Sequence, residues 1–294
     1  MRCLLIGVPL QVIAWGVARL PQRAMLALGR TLAWGLRPML RGRRRIAATN
    51  IALCFPELDA AAQRRLVVAN LANTVVGVLE MLRAWHAPAW VMRGQYEVEG
   101  LAHLQAALAR GRGVIVMTGH FIPVELALRL LGDALGRPVR LVAREHNNRC
   151  LEDWLERSRR RVFGPTLPKK RLREPLLERL HACEPVGYVA DQDFSYRHVF
   201  VPFFGVPAAT LASTPDLVRD SGATLLPFWF RRDAQGRYRL RVEAPWDHWP
   251  SGDPVQDAAR YMAELERAVR EAPDQYLWVH RRFKTRPPGE PPVY

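Results

Sequence analysis

This chain of 294 residues predicts an α/β fold with a central, mostly parallel sheet flanked by helices. From about residue 95 onward, short apolar runs of strand length alternate with segments whose apolar residues recur at helical spacing, the pattern of successive strand–helix units. Hydrophobic residues make up 49% of the chain, enough for a packed core and too many for a disordered one. No internal repeat or low-complexity linker interrupts the alternation. One domain, residues 46–294, is therefore expected behind a helical N-terminal extension, residues 1–45.

The extension comes first. Leu4 to Val17 is mostly apolar, is broken by Pro9 and Gln11, and lies between Arg2 and the pair Arg19 and Arg23. It is shorter than the roughly 20 residues a spanning helix needs, and it lacks a secretory cleavage signature. A second apolar stretch, Ala24 to Leu40, contains Arg30 and Arg37 and ends on Arg41-Gly-Arg-Arg-Arg45. Trp15 and Trp34 on apolar faces beside an arginine cluster suit a membrane-docking element; an amphipathic helical pair packed on the domain fits the same pattern. Residues 61–85 then read as one long helix. Strands are expected at 113–117, 139–143, 186–190, 224–230 and 238–243. Helices are expected at 101–109, 124–135, 151–161, 174–181, 208–220 and 255–272.

Charge narrows the partners. Basic residues outnumber acidic ones 43 to 28, a net +15, and three of the basic residues are lysines (Lys169, Lys170, Lys284). Codon bias is the ordinary explanation for the preponderance of arginine, but the charge itself favours anionic membrane, phosphorylated or acidic partners. Nucleic acid is not expected, because the cations are spread along the chain and no nucleic-acid-binding signature accompanies them. Cys3, Cys54, Cys150 and Cys183 are far apart in sequence and form no Cys-x-x-Cys pair; they read as reduced thiols, as at a cytosolic face.

The most informative stretch is Gly113-Val-Ile-Val-Met-Thr-Gly-His120-Phe-Ile-Pro-Val-Glu125. It reads as strand, tight turn and helix, with Pro123 at a position suited to a first helical turn. On one continuous helix His120 and Glu125 would lie roughly 140° apart, at about 100° per residue. A turn between them would let the carboxylate reach back to the imidazole. A histidine so held at a strand end suits a general base activating a hydroxyl, although His-x4-Glu also arises by chance. No second histidine follows at helical spacing, so no metal is expected.

In open α/β sheets, ligands bind off the carboxyl ends of strands. Two more polar clusters fall at such ends: Arg144-Glu-His-Asn-Asn148, and Asp191-Gln-Asp193. Arg157, Arg159, Arg160 and Arg161 lie on the helix between them. Each has an ordinary reading as a cap, a loop or a solvated face; their placement at the edge that carries His120 argues for a site. The apolar, Pro-broken segment 199–210 either lines a slot for an alkyl chain or folds into the core.

These residues carry a resemblance over nearly the whole chain. Asn50-Ile-Ala-Leu-Cys-Phe-Pro-Glu57, Thr118-Gly-His120 with Glu125, Arg144 with His146-Asn-Asn148, Asp191-Gln-Asp193, Phe200-Val-Pro-Phe-Phe-Gly205 with Ala208-Ala-Thr210, and the run from Gln275 to Pro287 stand in this order. The chain resembles the bacterial lipid A late acyltransferases. The resemblance implies a glycerol-phosphate acyltransferase-like fold and transfer of an acyl chain from an acyl carrier protein thioester to a hydroxyl of a lipid A precursor, at the cytoplasmic face of the inner membrane. Acyl carrier protein, lipid A precursor and the anionic membrane are then the partners, with no cofactor beyond the acyl-carrier co-substrate.

The same resemblance implies that His120 is the base and that Glu125 orients it. Arg160 would be the functional arginine, with Arg157 as its substitute, and Asp191 the functional aspartate. Arg144, Asn148, Arg157 and Gln192 would bind substrate. Phe194-Ser195 departs from the Tyr-Gly of many relatives, which bears on the acceptor pocket. Another glycolipid or phospholipid acceptor, a thioesterase, and a non-catalytic basic membrane-binding protein are the alternatives.

Overall fold

The structure is a computed structural model that describes residues 2–294. It opens on four helices: α1 (Arg2–Arg19), α2 (Gln22–Gly35), α3 (Arg41–Cys54) and α4 (Ala60–His86). Asp59 caps α4 by accepting a hydrogen bond from the Ala62 N–H at 2.6 Å. By length and composition α4 could cross a membrane. It packs against α1, α2 and α3 and also against α7 and α8 of the α/β core, so it joins the N-terminal helices to the core. The helical layer runs past residue 45, which falls inside α3.

A short helix α5 (Ala89–Met92) leads into the sheet. The sequence then alternates β1 (Tyr96–Glu99), α6 (Leu101–Ala109), β2 (Val114–Thr118), α7 (Val124–Leu135), β3 (Arg140–Ala143), α8 (Arg149–Phe163), β4 (Leu167–Pro168), α9 (Arg173–His181) and β5 (Pro185–Val189). After the hairpin β6 (His198–Phe203) and β7 (Val206–Leu211) come α10 (Thr214–Ser221), β8 (Thr224–Arg232), β9 (Tyr238–Val242) and α11 (Pro254–Glu271), then a 3-10 turn at Pro273–Gln275. Seven strands form one sheet in the order β1-β9-β8-β2-β5-β3-β4. All neighbouring pairs are parallel except β8 with β9.

β2 lies at the middle of this sheet and is buried along its whole length. Its unbroken apolar run Val-Ile-Val-Met is what a strand covered on both faces requires. The five expected strands are all present, with ends displaced by no more than two residues. One helix starts later than its pattern suggested: 206–211 is β7, and α10 begins at Thr214. Phe204 and Gly205, with φ of 53° and 74°, form a two-residue turn that folds β7 back on β6. The hairpin packs on α11, and Phe203, Ala208 and Ala209 are buried. Segment 199–210 therefore belongs to the core rather than to an alkyl slot.

The cysteines depart from expectation. Cys3 on α1 and Cys150 on α8 form a disulfide with a Cα–Cα distance of 4.9 Å, although 147 residues separate them. The reading as four free thiols is thus corrected, and Cys54 and Cys183 are free. The reason is spatial: α1 lies along α8, a proximity that sequence spacing does not encode.

Candidate active site

The site forms at the carboxyl ends of β2, β3 and β5. The chain leaves β2 through Gly119, where a Cβ would come within 2.4 Å of Leu265 and 3.3 Å of an Asp191 carboxylate oxygen. Glycine lets the turn approach Asp191 closely, and the first side chain after it is His120.

His120 is held by Asp191 twice. Its ring Nδ1 lies 2.6 Å from Asp191 Oδ1, and its backbone N–H donates to Oδ2 at 2.8 Å. The Tyr276 hydroxyl donates to the same Oδ2 at 2.8 Å. Burial acts to raise the Asp191 pKa, but the His120 ring and these hydrogen bonds outweigh it and lower the carboxyl to about 2. Burial, with Asp191 alongside, raises the Tyr276 phenol well above its usual range, so it remains a donor. With Nδ1–H given to the carboxylate, the neutral ring presents Nε2 as its free base.

Asp191 thus occupies the place expected of Glu125. Glu125 accepts from Trp85 Nε1 at 2.6 Å and from Arg159 Nη2 at 2.7 Å and Nε at 3.2 Å. The Arg159 guanidinium also lies over the Trp85 ring, 5.3 Å from its centroid. The turn after His120 sends the glutamate into the junction of α4, α7 and α8 instead of back to the imidazole. The arginine brought to the motif is Arg159. Arg160 and Arg157 are exposed, and Arg157 lies towards Gly7 of α1. Helical phase decides this, since neighbours on a helix point about 100° apart.

A cavity of about 1330 Å³ opens beside His120. Arg144 and Gln192, both expected at the site, line it; so do Lys169, Arg171 and Arg197, which sequence reasoning did not single out. Lys169 follows β4, and its Nζ donates to Gln192 Oε1 at 3.3 Å. Burial and the nearby Arg144 lower its pKa. Within the lining, Arg173 pairs with Asp220 and Arg219 with Asp216, whereas Arg144, Lys169, Arg171 and Arg197 have no ion-pair partner among the described residues. Apolar lining comes from Val142, Leu172, Tyr188, Phe194, Leu211 and Leu217. Asn148 stands apart from this wall and caps α8, accepting from the Leu151 N–H at 3.1 Å.

The site also uses a segment far along the chain. Residues 274–280 run beside the turn, where the Leu277 N–H donates to the His120 carbonyl at 3.0 Å and Ile122 N–H to the Gln275 carbonyl at 2.7 Å. His280 lines the cavity with His120. The run from Gln275 to Pro287 was a landmark of the resemblance in the sequence, but nothing in its spacing pointed to His120.

Comparison with known proteins covers almost the whole chain. The sequence profile of the bacterial lipid A biosynthesis acyltransferases matches residues 7–285. The chain is 35% identical over 287 residues to the lipid A biosynthesis palmitoleoyltransferase of Escherichia coli K12, covering 96% of this chain and 92% of that protein. It is 33% identical over 285 residues to the lipid A biosynthesis lauroyltransferase of the same organism, with the same coverage, and 27% identical over 256 residues to its myristoyltransferase, covering 85% and 78%. A histidine–carboxylate pair at the strand ends, a basic cavity beside it and a match over almost the whole length lead to one conclusion: the chain belongs to the bacterial lipid A biosynthesis acyltransferase family and is an acyltransferase.

Proposed function

We propose that this enzyme transfers a fatty acyl chain from an acyl carrier protein thioester to a hydroxyl of a lipid A precursor, with His120 as general base. The observation that carries the reading is the His120–Asp191 pair beside the large basic cavity. His120 Nε2 takes the acceptor hydroxyl proton as the oxygen attacks the thioester carbonyl. Asp191 stabilises the imidazolium that forms and keeps its tautomer. The carbon–sulfur bond then breaks, and the imidazolium returns the proton to the leaving thiol.

The four unpaired cations support an anionic acceptor, because phosphate oxygens meet arginine and lysine in charge-assisted hydrogen bonds. Arg144 and Gln192 bind it beside the base, with Lys169, Arg171 and Arg197 around them. Glu125 and Arg159 act as a brace that fixes α7 and α8 behind the turn.

The N-terminal helices support attachment at the membrane surface and, with the sheet, an acyltransferase fold of the glycerol-phosphate acyltransferase type. Val12, Ile13 and Trp15 of α1 and Leu32 and Trp34 of α2 are exposed, as are Arg23, Arg30, Arg37 and the arginines of 41–45. Exposed apolar side chains beside exposed cations suit docking on an anionic inner-membrane face. The basic surface also suits an acidic carrier protein.

The decisive assay gives purified enzyme a set of acyl carrier protein thioesters and lipid A precursor, and follows the lipid by mass spectrometry. A mass increase of one acyl chain is expected, with a loss of about 10²–10⁴-fold in folded His120→Ala. Near-normal turnover in that variant removes the mechanism. Free fatty acid release that the lipid does not divert indicates a thioesterase.

A further inference from the structure

His280 stands beside His120 with no part in the reaction as described so far. The two rings line the main cavity and also a smaller hollow bounded by Asp191, Gln192, Tyr276 and Arg282. The backbone that carries His280 is fixed at several points. Asn50, buried on α3, donates to the Trp278 and His280 carbonyls, both at 2.7 Å. Asn70, buried on α4, donates to the Tyr276 carbonyl at 2.6 Å and the Asp274 carbonyl at 3.1 Å. With Leu277 bonded to the His120 carbonyl, the two histidines are held in one frame.

A single bond sets the tautomer of His280. The Asp193 backbone N–H donates to His280 Nε2 at 3.3 Å. A ring nitrogen that accepts carries no proton, so the neutral ring has its proton on Nδ1. Asp193 cannot readily turn away, because Thr285 donates to its carboxylate from both backbone N–H and hydroxyl at 2.9 Å. Burial, with His120 adjacent, lowers the His280 pKa to about 4, so the ring is neutral at working pH and does not compete with His120 for the proton. Nδ1 has no protein partner among the described residues and is not one of the enclosed polar atoms. The Nδ1–H is thus an unpartnered donor on a residue that lines the cavity with His120.

Attack on a thioester carbonyl moves an electron pair onto the carbonyl oxygen, and a preorganised neutral donor at that oxygen lowers the barrier. The arginines of α8 do not fill this position: Arg159 is committed to Glu125, and Arg157 and Arg160 do not line the cavity. We infer that His280 is a catalytic residue whose Nδ1–H donates a hydrogen bond to the thioester oxygen as it becomes an oxyanion. This rests on the acyl-transfer reading above. The bond strengthens as the acceptor oxygen joins the carbonyl carbon and relaxes when the carbon–sulfur bond breaks; the proton on Nδ1 is not transferred.

The test compares His280→Asn, His280→Gln and His280→Ala in the full-length enzyme, with thioester consumption and lipid acylation read in parallel and folding checked by melting temperature. An asparagine amide reaches the place of Nδ1, and a glutamine amide the place of Nε2. Asn is expected to keep kcat within about tenfold, while Gln and Ala lose about 10²–10³-fold with KM little changed. An alanine variant as fast as wild type overturns the assignment, and so does equal loss in Asn and Gln. Nitrogen-15 spectra give an answer independent of turnover: His280 should be the Nδ1–H tautomer, and an Nε2–H tautomer overturns the proposal. If the wild type consumes thioester without acylating lipid A precursor, the acceptor reading fails while the variant ratios still decide His280. If it consumes no thioester with any acceptor, both fail.

Discussion

At the scale of single residues, the pairing of His120 with Asp191 separates two carboxylates that the sequence alone could not rank. Asp191→Asn keeps the size of the side chain but removes the charge that stabilises the imidazolium. Its amide can also turn the ring to the wrong tautomer. Turnover should fall by about 10²–10⁴-fold in protein that is still folded, with a lowered melting temperature because a buried carboxylate with three donors is lost; a loss of turnover below tenfold would leave Asp191 without the orienting role. Glu125→Ala should behave differently. It leaves the nearly buried Arg159 guanidinium and the Trp85 N–H without their acceptor, which costs about 3 kcal/mol of stability. Denaturant unfolding would read this loss, and an unchanged midpoint would show that the ion pair is not a brace. His120 and Asp191 were visible in the sequence as polar residues at strand ends. Their partnership was not, because 71 residues separate them and only the parallel pairing of β2 with β5 brings the two ends together.

At the scale of elements, the helices and strands of the α/β core were legible because burial on one face or both leaves a period in the sequence. Residues 124–135 and 101–109 match α7 and α6 end to end. Two classes of element were not legible. β4 is two residues long, too short to leave a pattern, and β1, Tyr-Glu-Val-Glu, carries two glutamates and no apolar run. The β6–β7 hairpin is apolar and rich in proline, so its turn was hidden in what looked like a loop. The tie between α1 and α8 is a third case, since the partner of a cysteine is a fact of tertiary packing. Protein purified without reductant should show two titratable thiols after denaturation, against four once reduced. Four thiols from the start would mean that α1 is held to α8 by packing alone.

At the scale of the molecule, two properties follow from the summed charge and burial. The first is surface attachment. Trp15→Asp with Trp34→Asp should strongly reduce cosedimentation with vesicles of anionic phospholipid, and added salt should weaken what remains. Binding unchanged in both conditions would remove the α1–α2 face from the membrane. The second is stability against pH. Folded His280 stays neutral down to about 4, whereas the unfolded ring takes up a proton near 6.5. The unfolded state therefore binds more protons in that window, and stability falls as pH drops through it. Asp191 adds a further loss lower down, because its carboxyl protonates near 3.8 when unfolded and near 2 when folded. Calorimetry should show melting temperature falling from pH 7 to 4, with a shallower slope in His280→Asn. An equal slope in the variant would place the His280 ring in solvent.

By itself the sequence determined the fold class, the basic surface and the polar residues that end the central strands. These are consequences of local periodicity and composition, which every residue carries with it. Tertiary structure decided which of those residues touch. It gave His120 to Asp191, turned Glu125 towards Arg159, chose Arg159 over Arg160 by helical phase, and brought the strap of 274–280 with His280 to the same cavity. Strand order, helix rotation and two buried asparagines made these choices, and none of them follows from the spacing of residues along the chain.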